Sequence, residues 1–298
     1  MKKQALVLAV AALAAGSVFA QATDTLAKIA ERGAVNLGVR DSSGLAFTLG
    51  GGKYVGFHTE MAERIIDDLS KQAGKPLKIN YQVITSQNRV PLVQNGTIDF
   101  ECGSTTNNTA RQKDVDFAYT TYVEEVRILT KASSGINGIA DLKGKTVATT
   151  TGTTSVQTLR KNKRAEGVEF KEVMGKDHAD SFLLLESGRA DAFVMDGSIL
   201  AANAAKSKNP KDYKMVGEVL SVEPIACMLP KGDAKLQKAI NDSIARQVKD
   251  GSLPKLYDKW FTQPIPPNNV NLNMPASAST KDAWANLNTK PMEDYAAK

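Results

Sequence analysis

The chain has 298 residues, of which 42% are hydrophobic and 23% are charged, and its formal net charge is +6 at pH 7. This composition is typical of a folded globular protein with one large or two medium domains, and it argues against intrinsic disorder. Lysine and arginine do not cluster with aromatic residues, so the sequence predicts no nucleic-acid groove.

The first 20 residues, MKKQALVLAVAALAAGSVFA, have the pattern of a secretory signal peptide. Two lysines precede an apolar run from Ala5 to Ala15, and a small-x-small ending follows at Val18 and Ala20. The run is shorter than the roughly 20 residues that a membrane span needs, which favours cleavage after Ala20 over a retained anchor. Cleavage removes two lysines and no acids, which lowers the formal net charge from +6 to +4.

The sequence contains two cysteines, Cys102 and Cys227. In the oxidising compartment to which a signal peptide leads, a disulfide is favoured over a pair of free thiols. Only His58 and His178 then remain as soft metal ligands, and no set of ligands has the spacing of a metal site. We therefore predict a Cys102–Cys227 disulfide, no metal site and no cofactor.

The first half of the chain alternates strands with helices. The sequence predicts a strand at VNLGVR (35–40), a helix with one apolar face at TEMAERIIDDLSKQ (59–72) and a strand at LKINYQVI (77–84). It then predicts a short helix with a glycine cap at RVPLVQNG (89–96) and a strand at TIDFE (97–101). This alternation predicts an α/β fold.

The second half repeats the same order of signals. The segment FLLLESGRADAFVMDG (182–197) predicts an apolar helix, a glycine cap and a strand, with Asp191 where the first copy has Asp99. A strand also leads into a helix within DLKGKTVATTTGTTSVQTLRK (141–161). Free N–H groups at such a helix start attract carboxylates and phosphates, although plain capping by Ser or Thr is the alternative. The two copies predict two similar α/β lobes.

Two extended segments, TYVEEVRILTK (121–131) and LSVEPIACMLPKGD (220–233), are predicted to cross between the lobes. The first lobe then comprises residues 21–124 and 226–298, and the second lobe comprises residues 125–225. Ligands of open α/β sheets bind at the carboxyl ends of the strands. The residues that follow the predicted strands, and are therefore expected to face the cleft, are Arg40, Ser86, Ser104, Thr106, Thr154 and Asp196.

Long segments of the chain resemble the glutamate/aspartate-binding subgroup of bacterial solute-binding proteins. These segments are ITSQNR (84–89), QNGTIDFECGSTTNNTARQ (94–112), DLKGKTVATTTGTTS (141–155), KDHADSF (176–182), LESGRADAFVMD (185–196) and CMLPKGD (227–233). The resemblance implies a two-lobe periplasmic-binding-protein fold of type II, with a ligand cleft between lobes joined by two crossover strands. It also implies a periplasmic monomer that captures an acidic amino acid by hinged closure and delivers it to an inner-membrane ABC permease.

The resemblance assigns a role in ligand binding to individual residues. Arg111 would pair with the ligand α-carboxylate through its planar guanidinium, and Thr153 or Thr154 would complete that site. The expected contacts of the ligand ammonium are Ser104, Thr106 and Asp196. The expected contacts of the distal carboxylate are Arg40, Ser86, Arg89 and His178.

The charges of these residues favour a ligand with a second carboxylate. The set contains three arginines, one aspartate and His178, whose protonation the sequence leaves open, whereas an amino acid with a neutral side chain needs one cation and one anion. A buried arginine without a partner costs roughly several kcal/mol, so such a pocket is expected to reject glutamine and asparagine. The structural alternatives are a solvated surface charge for Arg89 and an ion pair of Arg40 with Asp41 or Glu60.

An enzyme on the same fold, such as a periplasmic cyclohexadienyl dehydratase, is the alternative function. It would need an acid or base placed over a scissile bond. The candidates are His178, Glu101 and Asp196, and none lies beside a nucleophile or a carboxylate partner in the predicted arrangement. His178 can also act in helix capping, and Asp196 can form a turn. We therefore predict that the protein is not an enzyme.

One segment departs from the pattern of the family. After Arg40, the usual proline-phenylalanine-serine stretch is replaced by GLAFTLGGGKYVGFHTEM (44–61), in which Gly50–Gly52 predicts a flexible turn. This region can contact the ligand side chain, so the choice among glutamate, aspartate and a related dicarboxylate stays open. The tail from Gln263 predicts an extended strap along the first lobe that ends in a short helix near residues 281–287.

Overall fold

The structure is a computed structural model that describes residues 24–295, so the predicted signal peptide lies outside the described residues. The helices are α1 (Thr25–Arg32), α2 (Phe57–Ala73), α3 (Arg89–Gln94), α4 (Thr154–Glu166), α5 (His178–Glu186), α6 (Gly197–Lys206), α7 (Ala234–Lys249), α8 (Ser252–Phe261) and α9 (Ala278–Ala285). The strands are β1 (Ala34–Val39), β2 (Phe47–Gly50), β3 (Lys53–Val55), β4 (Lys78–Val83), β5 (Phe100–Glu101), β6 (Val115–Lys131), β7 (Thr146–Thr150), β8 (Lys171–Gly175), β9 (Ala192–Asp196), β10 (Tyr213–Pro230), β11 (Pro264–Ile265) and β12 (Val270–Asn271). The predicted α/β alternation is confirmed.

One eight-stranded sheet, in the order β4-β1-β5-β10-β6-β9-β7-β8, runs through both lobes. Strand β1 pairs in parallel with β4 and β5, and β7 pairs in parallel with β8 and β9. The middle strands β6 and β10 are 17 and 18 residues long and pair antiparallel with each other. They are the two crossover strands, and each is longer than the crossing segment predicted from the sequence.

The apolar core is divided near the middle of these two strands. Strand β6 contributes Tyr122 to one buried cluster and Val126 to another, and β10 contributes Ile225 to the first and Val216 to the second. We call the group around β1, β4 and β5 the first lobe and the group around β7, β8 and β9 the second lobe. The residue numbers given above for the lobe boundaries stay a prediction.

The repeat seen in the sequence has the same hydrogen bond in both lobes. The Asp99 carboxylate accepts from the Asn36 N–H in β1 at 2.7 Å, and the Asp191 carboxylate accepts from the Thr146 N–H in β7 at 2.7 Å. Residues 97–99 form the turn that carries the Asp99 hydrogen bond and do not pair as a strand, so β5 is shorter than predicted. Each aspartate therefore fixes a turn against the first strand of its lobe.

The C-terminal tail lies along the first lobe and over the crossover strands. The indole N–H of Trp284 in α9 donates to the Thr121 carbonyl at 2.8 Å, and the Met292 N–H donates to the Asn107 carbonyl at 2.8 Å. The Asn107 amide donates to the Thr289 carbonyl at 2.9 Å.

The glycine run at residues 50–52 forms the turn between β2 and β3 with three positive φ angles. In the described part of the chain, no helix combines the length and hydropathy of a membrane span.

Candidate functional site

The loop at residues 102–112 is fixed along crossover strand β10. Cys102 forms a disulfide with Cys227, which confirms the predicted bridge. Thr106 forms a β-bridge with Ile225, and the Asn107 N–H donates to the Pro224 carbonyl at 2.9 Å. Covalent and backbone bonds therefore position the polar side chains of this loop before any ligand arrives.

Arg40 follows β1 and is fully buried at one end of the cleft. Its two terminal nitrogens each donate to the Ser86 hydroxyl at 3.1 Å, and one of them also donates to His178 Nε2 at 2.7 Å. Its Nε has no hydrogen-bond partner within residues 24–295. The predicted alternative of an ion pair with Asp41 or Glu60 is wrong, because neither is within ion-pair distance of Arg40.

Arg89 is the first residue of α3, and its side chain is only 2% exposed. One terminal nitrogen donates to the Ser104 carbonyl at 3.1 Å, whereas Nε has no partner in the part of the chain that the structure describes. Burial lowers the pKa of Arg89 well below its usual value, and the positive charges of Arg111 and Arg40 lower it further. The surface-charge alternative for Arg89 is therefore wrong, and Arg40 and Arg89 share one buried region.

His178 begins α5 and is neutral in this arrangement. Guanidinium groups only donate hydrogen bonds, so Nε2 must accept from Arg40 and the ring proton must lie on Nδ1, which is 3.1 Å from the Thr150 hydroxyl oxygen. Burial lowers the pKa of His178 well below its usual value, and the charges of Arg40 and Arg89 act in the same direction. The helix cap is provided by Asp177, whose carboxylate accepts from the Ala179 N–H at 3.2 Å.

Arg111 lies at the other end of the cleft and is only partly buried. Its guanidinium donates to the Thr106 carbonyl at 2.7 Å and to the Gly152 carbonyl at 3.5 Å. The hydroxyls of Thr106 and Thr154 both donate to the Glu223 carboxylate at 2.6 Å. These contacts bring the first lobe, the second lobe and strand β10 together at one point.

The turn between β7 and α4 has its two threonine hydroxyls already engaged. Thr153 donates its hydroxyl to the Thr150 carbonyl at 2.8 Å, and Thr154 donates to Glu223. Helix α4 begins at Thr154, so the donors it offers to a ligand are the backbone N–H groups of its first turn. The backbone N–H groups of this turn, rather than the threonine hydroxyls, are therefore open to a ligand.

Asp196 ends β9 as a buried acid with an open hydrogen-bonding position. It is 2% exposed, and its Oδ1 has no partner among the described residues. Burial raises the pKa of Asp196 well above its usual value, and the carboxylates of Glu124 and Glu223 raise it further. A ligand cation next to Asp196 would lower the pKa of Asp196 again, because opposite charge stabilises the ionised carboxylate.

Three buried glutamates also lie in the site, and the sequence analysis named only Glu101 among them, as a candidate acid of the enzyme alternative. Its count of a single acid in the site is therefore wrong. Glu124 and Glu223 are directly opposite each other in the β6–β10 pair, and Glu101 accepts from the Gly103 N–H at 2.6 Å and from the Thr105 hydroxyl. Glu124 accepts from the N–H and the hydroxyl of Ser198 at the start of α6. Burial raises the pKa of Glu124 to about 7. The only signal in the sequence was a glutamate within each predicted crossing strand, where charged residues are rare.

The acids of the site do not form a metal centre. Among residues 24–295, no group of three or more His, Cys, Asp or Glu side chains is placed to hold a metal ion. The site instead brings guanidinium donors and carboxylate acceptors of both lobes together, an arrangement that suits a zwitterion with additional charge.

Contacts across the cleft hold the two lobes together. Arg40 of the first lobe meets His178 of the second, and Thr106 meets Thr154 with their hydroxyl oxygens 3.3 Å apart. Two α/β lobes that close over a buried charged cleft define a binding protein for a small charged solute. The chain belongs to the bacterial extracellular solute-binding proteins of family 3, whose sequence profile matches residues 35–263.

Comparison with known proteins confirms the predicted resemblance. The chain is 43% identical to an L-glutamate/L-aspartate-binding protein of Pseudomonas aeruginosa, over 95% of each chain. It is 42% identical to a glutamate/aspartate import solute-binding protein of Escherichia coli K12, over 95% of this chain and 97% of that protein. Among solved structures, it resembles an ancestral arginine-binding protein bound to arginine, with a TM-score of 0.69 and 31% identity over 77% of this chain and 99% of that one. The two-lobe fold is confirmed.

Proposed function

We propose that the protein captures L-glutamate or L-aspartate and delivers it to an ABC importer. The relatives from P. aeruginosa and E. coli, which match nearly the whole chain, are named for these two amino acids. The family of extracellular solute-binding proteins supports solute capture as the task. The arrangement of the cleft supports an acidic ligand independently of the relatives.

The single observation that carries this ligand class is the buried pair Arg40 and Arg89. Both guanidiniums are buried, and the Nε of each lacks a partner in the described chain. Arg40 has one carboxylate partner, Asp177, at 3.8 Å. Arg89 has no carboxylate within ion-pair distance among the described residues, so a neutral ligand side chain would leave its buried charge unpaired, which costs roughly several kcal/mol. A second ligand carboxylate would satisfy both guanidiniums with charge-assisted hydrogen bonds.

We assign the ends of the ligand as follows. Arg111 and the N–H groups of the first turn of α4 bind the α-carboxylate. The contacts of the ammonium are Ser104, Thr106 and Asp196. The contacts of the distal carboxylate are Arg40, Ser86, Arg89 and His178, and His178 acts there as a neutral group that orients Arg40. Glu223 is a positioning residue, because it accepts from Thr106 and Thr154 and so fixes both walls of the site.

The mechanism that this assignment supports is a hinged clamp. The ligand first binds the first lobe through Arg111 and the Ser104–Thr106 wall, and the second lobe then closes with Thr154, His178 and Asp196. Closure is favoured because the ligand joins groups that remain unpaired or repel each other in the empty site. In this account the hinge lies at the predicted lobe boundaries, residues 124/125 and 225/226.

The remaining parts of the proposal concern location and partners. The predicted leader would direct the mature chain from residue 21 to the periplasm, where it would act as a monomer. An inner-membrane permease would recognise the closed form. We propose no catalytic role, because the relatives are named as binding proteins and the acids of the cleft already accept hydrogen bonds from the protein or face the ligand ammonium.

Isothermal titration calorimetry tests the proposed function. The chain 21–298 is unfolded, stripped of ligand, refolded and titrated with glutamate, aspartate, glutamine and arginine. The proposal predicts tight one-to-one binding of the acidic pair and a much weaker response to glutamine. A preference for glutamine or arginine would show that Arg40 and Arg89 do not face the ligand. No binding of any of the four would return the enzyme alternative to consideration.

A further inference from the structure

One short segment of the first lobe, Ser42–Phe47, contacts the second lobe outside the ligand site. The Ser42 hydroxyl donates to the Asp177 carboxylate, and the Asn203 amide of α6 donates to the Ser42 carbonyl at 3.2 Å. The ammonium of Lys206 lies over the Phe47 ring, 4.2 Å from its centroid. The segment therefore joins the first lobe to both α5 and α6, and we call it the latch segment.

The centre of the latch segment is Gly44, which has no room for a side chain in the closed arrangement. A Cβ on Gly44 would overlap the Ser198 carbonyl group and lie 2.9 Å from the Ile199 backbone nitrogen. Both obstacles are main-chain atoms of the first turn of α6, so a change of rotamer cannot remove them. Closure of the second lobe onto the latch segment therefore depends on glycine at this position.

The backbone of Gly44 does not itself require glycine. Its φ lies outside the left-handed region, so an L-residue is compatible with the local conformation. The obstacle belongs to the opposite lobe, and separation of the lobes removes it. An alanine at position 44 is thus expected to be tolerated in the open form and to clash only in the closed form.

A second glycine makes a similar contact on the other side of the cleft. A Cβ on Gly152, in the second lobe, would lie 2.8 Å from both the Cα and the backbone nitrogen of Gln87 in the first lobe. Gly152 also has a φ of +80°, so its turn needs glycine whether or not the lobes are closed. A substitution at Gly44 is therefore expected to affect lobe closure alone, whereas a substitution at Gly152 would also strain the local backbone.

We propose that Gly44 is a positioning residue for lobe closure, and that the latch segment raises the affinity of the protein by stabilising the closed form. This inference rests on the proposed hinged capture of an acidic amino acid. Apparent affinity falls in proportion to the population of the binding-competent state, so a clash present only in the closed form weakens binding.

Gly44→Ala tests the inference, with Gly138→Ala as the matched control. Gly138 has φ −174°, which any residue adopts, and its Cβ would meet nothing closer than 3.9 Å. We expect Gly44→Ala to weaken glutamate binding roughly 10- to 100-fold by calorimetry, and the control to bind as the wild type does. Small-angle X-ray scattering is expected to show that glutamate makes the wild type and the control more compact, but not Gly44→Ala at the same glutamate concentration.

The stability of the ligand-free protein distinguishes a closure effect from a folding defect. Because the clash involves the opposite lobe, Gly44→Ala without ligand is expected to melt at the same temperature as the wild type. A lower melting temperature of the ligand-free variant would place the clash within one lobe and overturn the inference. Wild-type affinity together with wild-type compaction in Gly44→Ala would overturn it as well.

A cross-link provides a test that needs no ligand. The pair Ser42→Cys and Asp177→Cys is introduced at the contact between the latch segment and α5, and disulfide formation is followed under mild oxidation. We expect the cross-link to form, and its yield to fall when Gly44→Ala is added. An equal yield with and without Gly44→Ala, or no cross-link in the parent pair, would contradict the inference. Failure of the wild type to bind glutamate would count against the proposed function alone, because this yield does not depend on the ligand.

Discussion

The two ends of the cleft differ in how far the protein completes its own hydrogen bonding. At the end with Arg111, the guanidinium has two carbonyl partners and the threonine hydroxyls share Glu223. At the end with Arg40 and Arg89, two buried guanidiniums each keep an Nε without a partner in the described chain. The comparison teaches that the incomplete end selects the ligand side chain, because there the open donors belong to buried guanidinium groups.

The same comparison explains why a count of charges is a poor guide to this site. Three arginines face Asp196 and three glutamates, so the formal surplus of positive charge disappears when the whole site is considered. Glu124 and Glu223 belong to the crossover strands and Glu101 ends β5, and each has its own donors. The selectivity therefore depends on which donors remain open and where they lie, not on the net charge.

The largest expected effect comes from Arg89→Met, which removes a donor from the incomplete end. Glutamate affinity is expected to fall by about 3–5 kcal/mol in calorimetry, because the distal carboxylate would be buried with one partner fewer. The ligand-free variant is expected to be more stable to urea by about 1–3 kcal/mol, because a poorly satisfied buried charge is replaced by an apolar side chain. Loss of affinity together with gain of stability is the signature of a group held for the ligand.

Arg160→Met is the matched control for that experiment. Arg160 pairs with Glu172 on the exposed surface of the second lobe, away from the cleft. It is expected to leave glutamate affinity unchanged. Affinity of Arg89→Met within about threefold of the wild type would contradict the role of the distal end, since that ratio is under 1 kcal/mol.

The next effect concerns Glu124, near the end of the cleft that the protein completes. Burial raises the folded-state pKa of Glu124 to about 7, from its usual value of 4.5. The stabilisation linked to its protonation is therefore fully present below pH 4.5 and is lost as the pH rises through about 7. Between these two pH values the wild type is expected to lose up to about 3 kcal/mol of unfolding free energy relative to Glu124→Gln. Urea denaturation of both proteins across this range measures the difference, and parallel pH profiles would contradict it.

A smaller effect is expected from Glu223→Gln. The substitution keeps an acceptor for Thr106 or Thr154 but removes the negative charge and one of the shared hydrogen bonds. Glutamate affinity is expected to fall by about 1–2 kcal/mol, measured by calorimetry. Glu125→Gln, at a more exposed position on β6, is the control and is expected to bind normally. An equal effect in both variants would show that long-range charge, not the position of Glu223, is responsible.

The smallest effect is a proton released when the ligand binds. Burial raises the pKa of Asp196 well above its usual value, and an ammonium placed beside it lowers that pKa again. At a pH where the free protein holds Asp196 protonated, binding is therefore expected to release up to about one proton per ligand. Calorimetry in two buffers of different ionisation enthalpy measures this number, and it is expected to be smaller in Asp196→Asn. Equal release in the two proteins would assign the proton to another group.

Local signals in the sequence were sufficient for most of the fold and for Arg40, whereas Arg89 and Arg111 were assigned only by the family resemblance. Periodicity predicts β1 and α2, and the strand-to-helix turns place Arg40 and Asp196 at the cleft. Glu223 was missed because its role depends on strand pairing: the register that puts it opposite Glu124 is fixed by long-range contacts of β6 with β10. The close approach of Gly44 to α6 was equally invisible, since it exists only between the two lobes.

The central claim is that Arg89 is held for the distal carboxylate of the ligand, and a double-mutant cycle tests it most directly. Calorimetry gives the affinities of the wild type and Arg89→Gln for glutamate and for glutamine, so the coupling between the guanidinium and the ligand carboxylate follows from four values. The account predicts a coupling energy of about 2 kcal/mol or more, as close buried charge pairs have. A coupling energy near zero would mean that Arg89 does not meet the ligand carboxylate, and the assignment of the distal end would be wrong.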